Sequence, residues 1–333
     1  MNKVFNVGLI GAGRIGKIHA QNIDLNPQLA LHSVSDPMMA AATELAEQYK
    51  ASVISIEEVF SNDAVDLLII ASPTNTHADF IELASQNGKP SLCEKPIDND
   101  PARASQCIEK LRQQHTHCSM GFNRRHDPLF QQLNSDLSSG KIGELEMLVI
   151  TSRDPSPPPV SYIKTSGGLF KDMSIHDLDV ARWLLNETII EVHATGSNLV
   201  DKAIGEAGDI DTAMITLKTQ SGKLCHINNS RRAVYGYDQR IEAFGSAGML
   251  CADNVRHSQL VTSTANGSEQ QPLLDFFLER YEQAYKNELQ DFIDSVTENR
   301  QPLVTPHDGL MALNLAEAAQ ESLDSSRSIT VNC

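Results

Sequence analysis

The chain predicts an α/β protein built of a doubly wound parallel sheet over residues 1–120, followed over residues 121–333 by an α+β domain with an open antiparallel sheet. Three features of the sequence point there. A length of 333 residues exceeds what one hydrophobic core usually organises. The first third alternates short apolar runs with helical patterns, as βαβ units do. After Gly121 the texture changes to strand-like runs joined by Gly, Asn and Asp turns, the pattern of a meander.

The elements follow in order. Residues 4–10 form an apolar run that ends in glycines and opens a helical pattern through His19, Ala20 and Ile23. Leu29 to Val34 is a second strand closed by Asp36, and an Ala, Glu and Leu-rich helix spans Met38 to Tyr49. Asp66 to Ala71 is continuously apolar, as expected of a parallel strand covered on both faces. Ser91 to Cys93 leads into Glu94-Lys95-Pro96, and a helix runs from Pro101 to Gln114. In the second part strand runs fall at 145–152, 189–196, 211–219, 223–230 and 239–244, and helices at 273–296 and 308–323. The last helices are free to pack back on the first domain. No internal repeat is present.

A formal net charge of -16 sets up repulsion from nucleic acid and from anionic membrane surfaces, and leaves small neutral ligands as the expected partners. The segment MNKVFNVGLIGAG runs straight into a strand, with no signal peptide, and no stretch reads as membrane-spanning. Six cysteines, at 93, 107, 118, 225, 251 and 333, lack CxxC spacing, which argues against a disulfide framework and fits a reducing cytoplasm. His115, His117 and Cys118 cluster locally without a second ligand group, so no metal site is expected.

Gly11-Ala12-Gly13-Arg14-Ile15-Gly16 is a GxGxxG motif after a strand and at the start of a helix, and Asp36 closes the next strand 20 positions beyond Gly16. That context is the dinucleotide fingerprint of a Rossmann domain. Gly11 permits the turn, Gly13 the approach of the pyrophosphate, and Gly16 close helix packing, while the helix N-terminus offers amides to phosphate. Asp36 is suited to the adenosine ribose hydroxyls and repels a 2'-phosphate, and neither Pro37 nor Met38 compensates, so the expected cofactor is NAD. Ligands of such sheets bind at the carboxyl ends of the strands, which adds Ser72, Pro73, Asn75, His77, Glu94 and Lys95 to the cofactor-binding candidates.

Gly167 and Gly168 precede a helical pattern that reaches Leu185, along which Asp172, His176 and Asp179 fall at i, i+4 and i+7, one face of an α-helix. Most neighbouring positions are apolar. A stripe of ionisable groups on a largely buried helix is costly, and a base for alcohol oxidation would account for it. A capping acid and a satisfied core histidine are the plainer reading of each residue alone. Lys95, at the sheet edge, is suited to steady an alkoxide as charge develops on oxygen.

The segments GLIGAGRIGKIHA at 8–20, EKPI at 94–97, GFNRRHDP at 121–128, TSRDPSPPP at 151–159, GGLFKDMSIHDLDVARWLL at 167–185, IGEAGDIDTA at 204–213 and NNSRRAVYGYDQRIEAFGS at 228–246 resemble the glucose-fructose oxidoreductase/inositol dehydrogenase/MocA family over nearly the whole chain. By that resemblance the catalytic lysine, aspartate and histidine fall on Lys95, Asp172 and His176. Substrate hydroxyls would be read by these last two and by Asn123, Arg124, Asp154, Asp179 and one of Tyr235 and Tyr237, which a strand would place on one face. The resemblance implies NAD-dependent oxidation of a cyclic polyol, with myo-inositol giving scyllo-inosose. It also implies a homotetramer assembled through the C-terminal sheet. Another inositol isomer or a pyranose is the alternative substrate, and a non-catalytic dinucleotide-binding regulator the alternative class.

NAD should give a higher kcat/KM than NADP, and Asp36→Ala should narrow the gap; equal use of both cofactors by the parent protein would contradict the role given to Asp36.

Overall fold

A computed structural model describes residues 3–331. Cys333 lies outside them; the other five cysteines are free, four of them buried and Cys251 exposed. In chain order the elements begin with β1 (Phe5–Ile10), α1 (Arg14–Leu25), β2 (Leu29–Ser35), α2 (Met39–Tyr49), β3 (Ser52–Val53), α3 (Ile56–Ser61), β4 (Leu67–Ile70), α4 (His77–Gln86), β5 (Ser91–Glu94), α5 (Pro101–Gln114) and β6 (Cys118–Gly121). There follow α6 (Pro128–Ser138), β7 (Leu145–Arg153), α7 (Val160–Ser166), α8 (Ile175–Leu185), β8 (Ile189–Ser197), α9 (Lys202–Glu206), β9 (Thr212–Thr219), β10 (Leu224–Ser230), β11 (Asp238–Gly245) and β12 (Gly248–Ala252). The chain closes with β13 (Val261–Thr264), β14 (Gly267–Gln270), α10 (Phe277–Arg280), α11 (Glu282–Glu298), α12 (Pro306–Ser325) and β15 (Ile329–Thr330).

Two compact units result. One holds the chain through His126 together with Ala284–Leu310; the other holds Asp127–Gln283 and the chain from Met311 onward. Most of α11 therefore belongs with the first sheet, where Leu289, Phe292 and Ile293 join Leu9, Val34 and Ile69 in one core.

The first unit carries a six-stranded sheet in the order β3-β2-β1-β4-β5-β6, with every pair parallel. All four residues of β4, Leu67–Ile70, are buried, because helices cover both faces of such a sheet. The strand order reverses beside β1, which pairs with both β2 and β4, and this is the position where open α/β sheets bind ligands. β3 and α3 have no counterpart in the expected elements, since two and six residues are too few to show a period. Ser55 does cap α3, accepting from the amide of Glu58 at 3.2 Å.

The second unit carries a seven-stranded sheet in the order β12-β11-β7-β10-β9-β8-β15. It departs from the all-antiparallel expectation at one place, since β7 and β10 run parallel. The sheet is therefore mixed. The cause is connectivity: after β7 the chain passes through α7 and α8 before β8, β9 and β10 return as a meander, so β10 meets β7 across a crossover. β11 then closes antiparallel on the other side of β7.

β9 alternates buried and exposed residues, as expected of a sheet with one covered face. On the open face Met249, Phe244, Met147 and Leu224 stand in register on four neighbouring strands, each between 41% and 53% exposed. α6 escaped the sequence reading, although Asp127 caps it and Pro128 opens it. Asp127 also receives Arg280, and both side chains are 4% exposed, so removing either partner would strand a buried charge at a cost of about 3–5 kcal/mol. Among the described residues no helix is long and apolar enough to cross a membrane.

Candidate active site

At the end of β1 the chain turns through Gly11, whose φ of 104° lies in the left-handed region. A Cβ on Gly11 would stand 2.4 Å from the Ala71 carbonyl oxygen, and one on Gly16 would stand 2.0 Å from the carbonyl oxygen of Gly11. Gly13 differs, because a Cβ there would meet nothing within 4 Å. Two glycines thus allow the backbone to close on itself, and the third leaves an open cradle at the N-terminus of α1, where no side chain caps the helix. Arg14 is exposed and Ile15 half-buried beside it. This cradle fits a pyrophosphate: open space, a helix N-terminus, and no carboxylate capping it.

Asp36 ties the turn to β2. Its Oδ2 accepts from the Ala12 amide at 2.7 Å and its Oδ1 from the Met38 amide at 2.7 Å. A carboxylate has about four lone-pair sites, so two remain for ribose hydroxyls. An exchange to Asn, which keeps the shape, is therefore a cleaner test of the charge than Ala.

The strand ends around β4 and β5 hold the other first-unit candidates. Ser72 bonds Thr76 hydroxyl to hydroxyl at 2.7 Å, and Pro73 and Asn75 are exposed. His77 is 1% exposed, with Nδ1 at 2.7 Å from the Pro96 carbonyl and Nε2 at 2.8 Å from that of Ser72. Burial pushes its imidazole below the usual range against the pull of those two carbonyls. Its ring joins the loop after β4 to the loop after β5, so it shapes the surroundings of Lys95 from inside the protein. Lys95 is half-buried and precedes a cis proline. Asn123 and Arg124 lie in a buried 3-10 turn, at 4% and 6% exposure.

In the second unit, the single helix expected from Gly167 to Leu185 is interrupted. α7 ends at Ser166, Gly167 and Gly168 take φ of 87° and 85°, and Phe170–Ser174 forms a π turn before α8 begins at Ile175. The wider π turn inserts a residue relative to the α period, so Asp172 is rotated away from the position that i, i+4 spacing assigns it. Asp172 and His176 remain partly exposed, whereas Asp179 is 1% exposed.

Asp172 is held from two sides. Tyr162 donates to Oδ1 at 2.9 Å, and both terminal nitrogens of Arg231 lie 3.4 Å from Oδ2. Arg231 is 1% exposed and also approaches Asp209 at 3.7 Å, so two carboxylates compensate one buried guanidinium. Next to His176, the fully buried Asp177 accepts from Asn229 at 2.8 Å, and Asn229 in turn accepts from Ser174 at 2.7 Å, which pins the start of α8 to β10. Neither Arg231 nor this network was identified from sequence. Arg231 and Arg232 stand side by side, and only the fold separates the buried one from the exposed one.

Tyr235 and Tyr237 sit in a turn before β11 and share no strand face; Gly236, at φ 119°, bends the chain between them. Tyr237 is 5% exposed and meets the rings of Phe276 and Tyr281 edge-on. Tyr235 is 51% exposed, donates to Asp238 at 2.6 Å and accepts from Arg153 at 2.9 Å. Burial works to raise the Asp238 carboxyl, but hydrogen bonds from Arg240, Tyr235 and Asn254 hold it below the usual range. Asp154 follows Arg153 at the end of β7, half-buried, its amide on the Ser230 carbonyl at 2.9 Å.

Comparison with known proteins matches two family models to the chain. Residues 5–122 match the model of the oxidoreductase family with an NAD-binding Rossmann fold, and residues 130–251 match the GFO/IDH/MocA C-terminal domain. The inositol 2-dehydrogenase of Rhizobium meliloti is 46% identical over 97% of this chain and 98% of its own. A myo-inositol dehydrogenase from Corynebacterium glutamicum superposes with a TM-score of 0.95 at 45% identity, covering 99% of each chain. The scyllo-inositol dehydrogenase of Lactobacillus casei, solved with NAD(H) and scyllo-inositol bound, superposes at 0.92 with 29% identity, covering 98% of this chain and 99% of that one.

Proposed function

The chain belongs to the GFO/IDH/MocA family of oxidoreductases with an NAD-binding Rossmann fold, and from that premise we propose that it oxidises myo-inositol to scyllo-inosose with NAD. The observation that carries the reading is the presence, in one chain 46% identical to an inositol 2-dehydrogenase, of the open glycine cradle, Lys95 at its strand end, and Asp172 and His176 on the π turn and α8. The L. casei relative, which binds scyllo-inositol, favours that isomer as the second substrate to try.

NAD, when bound, supplies the acceptor for the two electrons and the hydrogen lost from carbon. Gly11, Gly13 and Gly16 would hold its pyrophosphate and Asp36 its adenosine ribose. Lys95 directs an ammonium at the reacting hydroxyl and stabilises negative charge on that oxygen. His176 accepts the hydroxyl proton at a ring nitrogen. Asp172, fixed by Tyr162 and Arg231, orients the histidine and favours its charged form. Asn123, Arg124, Asp154, Asp179 and Tyr235 or Tyr237 are proposed to bind the remaining hydroxyls and so to select the isomer.

The assembly we propose is a homotetramer through the second-unit sheet. Support comes from the Met249, Phe244, Met147 and Leu224 row, since a contiguous exposed apolar stripe on a sheet face marks an interaction surface. Light scattering should give four times the chain mass, and Phe244→Glu should lower it; a monomeric parent protein would contradict this reading.

NADH formation with myo-inositol, scyllo-inositol and glucose side by side tests the activity, and myo-inositol should give the highest kcat/KM. Lys95→Ala should lower kcat roughly a hundredfold or more with NAD binding retained. The parent kcat/KM should rise with pH through one ionisation, and His176→Ala should remove that limb with most of the rate. Loss of NAD affinity with turnover intact in Lys95→Ala, or the same pH limb in a partly active His176→Ala, would overturn the assignments.

A further inference from the structure

Three ionisable side chains of the first unit come together: His19 on α1 and Glu288 on α11, both buried, and the cofactor-binding candidate Glu94 at the end of β5, half-buried. One potential ligand atom from each lies within 4.8 Å of the others. His19 Nε2 is 2.8 Å from Glu94 Oε1. Glu288 is 0% exposed, and among the described residues neither of its carboxylate oxygens meets a hydrogen-bond donor. An ionised carboxylate in that position would be costly to bury without a cation.

Among the described residues no side-chain cation forms an ion pair with it. Arg125 pairs with Asp308 at 3.3 Å, and Arg300 pairs with Asp291 at 2.8 Å. Asp291, on the same helix, adds negative charge, and its Oδ2 accepts from the Leu303 amide. Burial pushes the imidazole of His126 down to about 4, so at neutral pH it brings no positive charge. The ring of Tyr285 packs edge-on against His19 at 6.1 Å and carries no charge. The Glu94 carboxylate lies close against Gly121 of β6, where an added Cβ would fall 2.9 Å from its Oε2.

We infer that Glu288 is kept as a neutral acid sharing its proton with Glu94, and that Glu288, Glu94 and His19 form a buried positioning chain for the strand end that carries Lys95. One negative charge then rests on the Glu94 carboxylate, met by the His19 ring on one side and the Glu288 proton on the other. Burial, with the neighbouring charges of Glu94 and Asp291, acts in the same direction by raising the Glu288 carboxyl well above the usual range. The alternative source of neutralising charge for two carboxylates and an imidazole is a divalent cation. The direct His19 to Glu94 bond favours the proton, because a metal ion between two ligands at about 2.0–2.2 Å from each would hold them further apart. Sheet geometry makes the consequence local: Glu94 is the last residue of β5, and Lys95 follows it.

The positioning part of this inference rests on the role proposed for Lys95, whereas the protonation part does not. Difference infrared spectra of the full-length parent protein and Glu288→Gln at neutral pH should show the carbonyl stretch of an un-ionised carboxylic acid in the parent alone. With substrate, Glu288→Ala should lose about tenfold in kcat with the KM for NAD little changed, the scale seen when an outer hydrogen-bond partner of a functional group is removed, and Glu288→Gln should restore it. Absence of the infrared band, or a divalent metal present at one per chain by elemental analysis and lost in Glu288→Gln, would overturn the shared proton. An intact band with equal kcat in parent and Glu288→Ala would overturn the positioning role. A protein that oxidises no polyol at all but shows the band would contradict the proposed function and leave the protonated pair standing.

Discussion

The first unit depends on how closely its own backbone can approach itself at the ends of β1 and β4. Side chains at Gly11 or Gly16 would collide with backbone carbonyls at 2.4 Å and 2.0 Å, contacts that only backbone movement could relieve. Because both are glycine, α1 starts directly against the sheet, and the amides of its first turn face the open side at Gly13. The Asp36 carboxylate then locks this turn to β2 through the Ala12 amide. The cradle proposed for the pyrophosphate and the acid proposed for the ribose are thus two ends of one hydrogen-bonded structure, a unit rather than separate glycines and an acid.

Charge compensation governs the rest of the candidate site. Arg231 balances Asp172 and Asp209, Asp238 gathers Arg240, Tyr235 and Asn254, and Asp127 takes Arg280. Each places a buried ion against partners that fix its geometry, and together they leave the side chains of the π turn and of the turn before β11 with defined positions. π turns are uncommon, and they are frequent where function requires a side chain to leave the regular helical stripe. Asp172 sits in such a turn, fixed by an arginine from the end of β10 and a tyrosine from α7. His77 extends the same logic inward by joining two strand-end loops through its ring, and Glu288 brings a buried carboxyl within 4.8 Å of ligand atoms of His19 and Glu94.

Much of this was legible in the sequence. The parallel sheet was readable because β4 is continuously apolar, and the cofactor turn because glycine spacing and Asp36 are local in the chain. Long alternating strands such as β9 announced themselves too. The parallel β7–β10 pair was not legible, since pairing direction depends on which strands a crossover brings together and not on any one strand's composition. The π turn was hidden because a 3.6-residue pattern fits Phe170 to Leu185 nearly as well as the observed break, and only the two positive-φ glycines hint at it. Tyr235 and Tyr237 alternate as strand residues would, yet Gly236 turns the chain between them. Glu288 lies on an ordinary amphipathic helix, where nothing local separates a buried glutamate from a solvated one.

The central claim is that this chain removes the hydrogen from a ring carbon of an inositol and delivers it to NAD. The most direct measurement uses myo-inositol carrying deuterium at C2 and follows the label by mass spectrometry. The account requires one deuterium in the reduced nicotinamide cofactor, with unlabelled scyllo-inosose as the other product. Reduced cofactor without the label, or no reduction of NAD by any inositol, would contradict it.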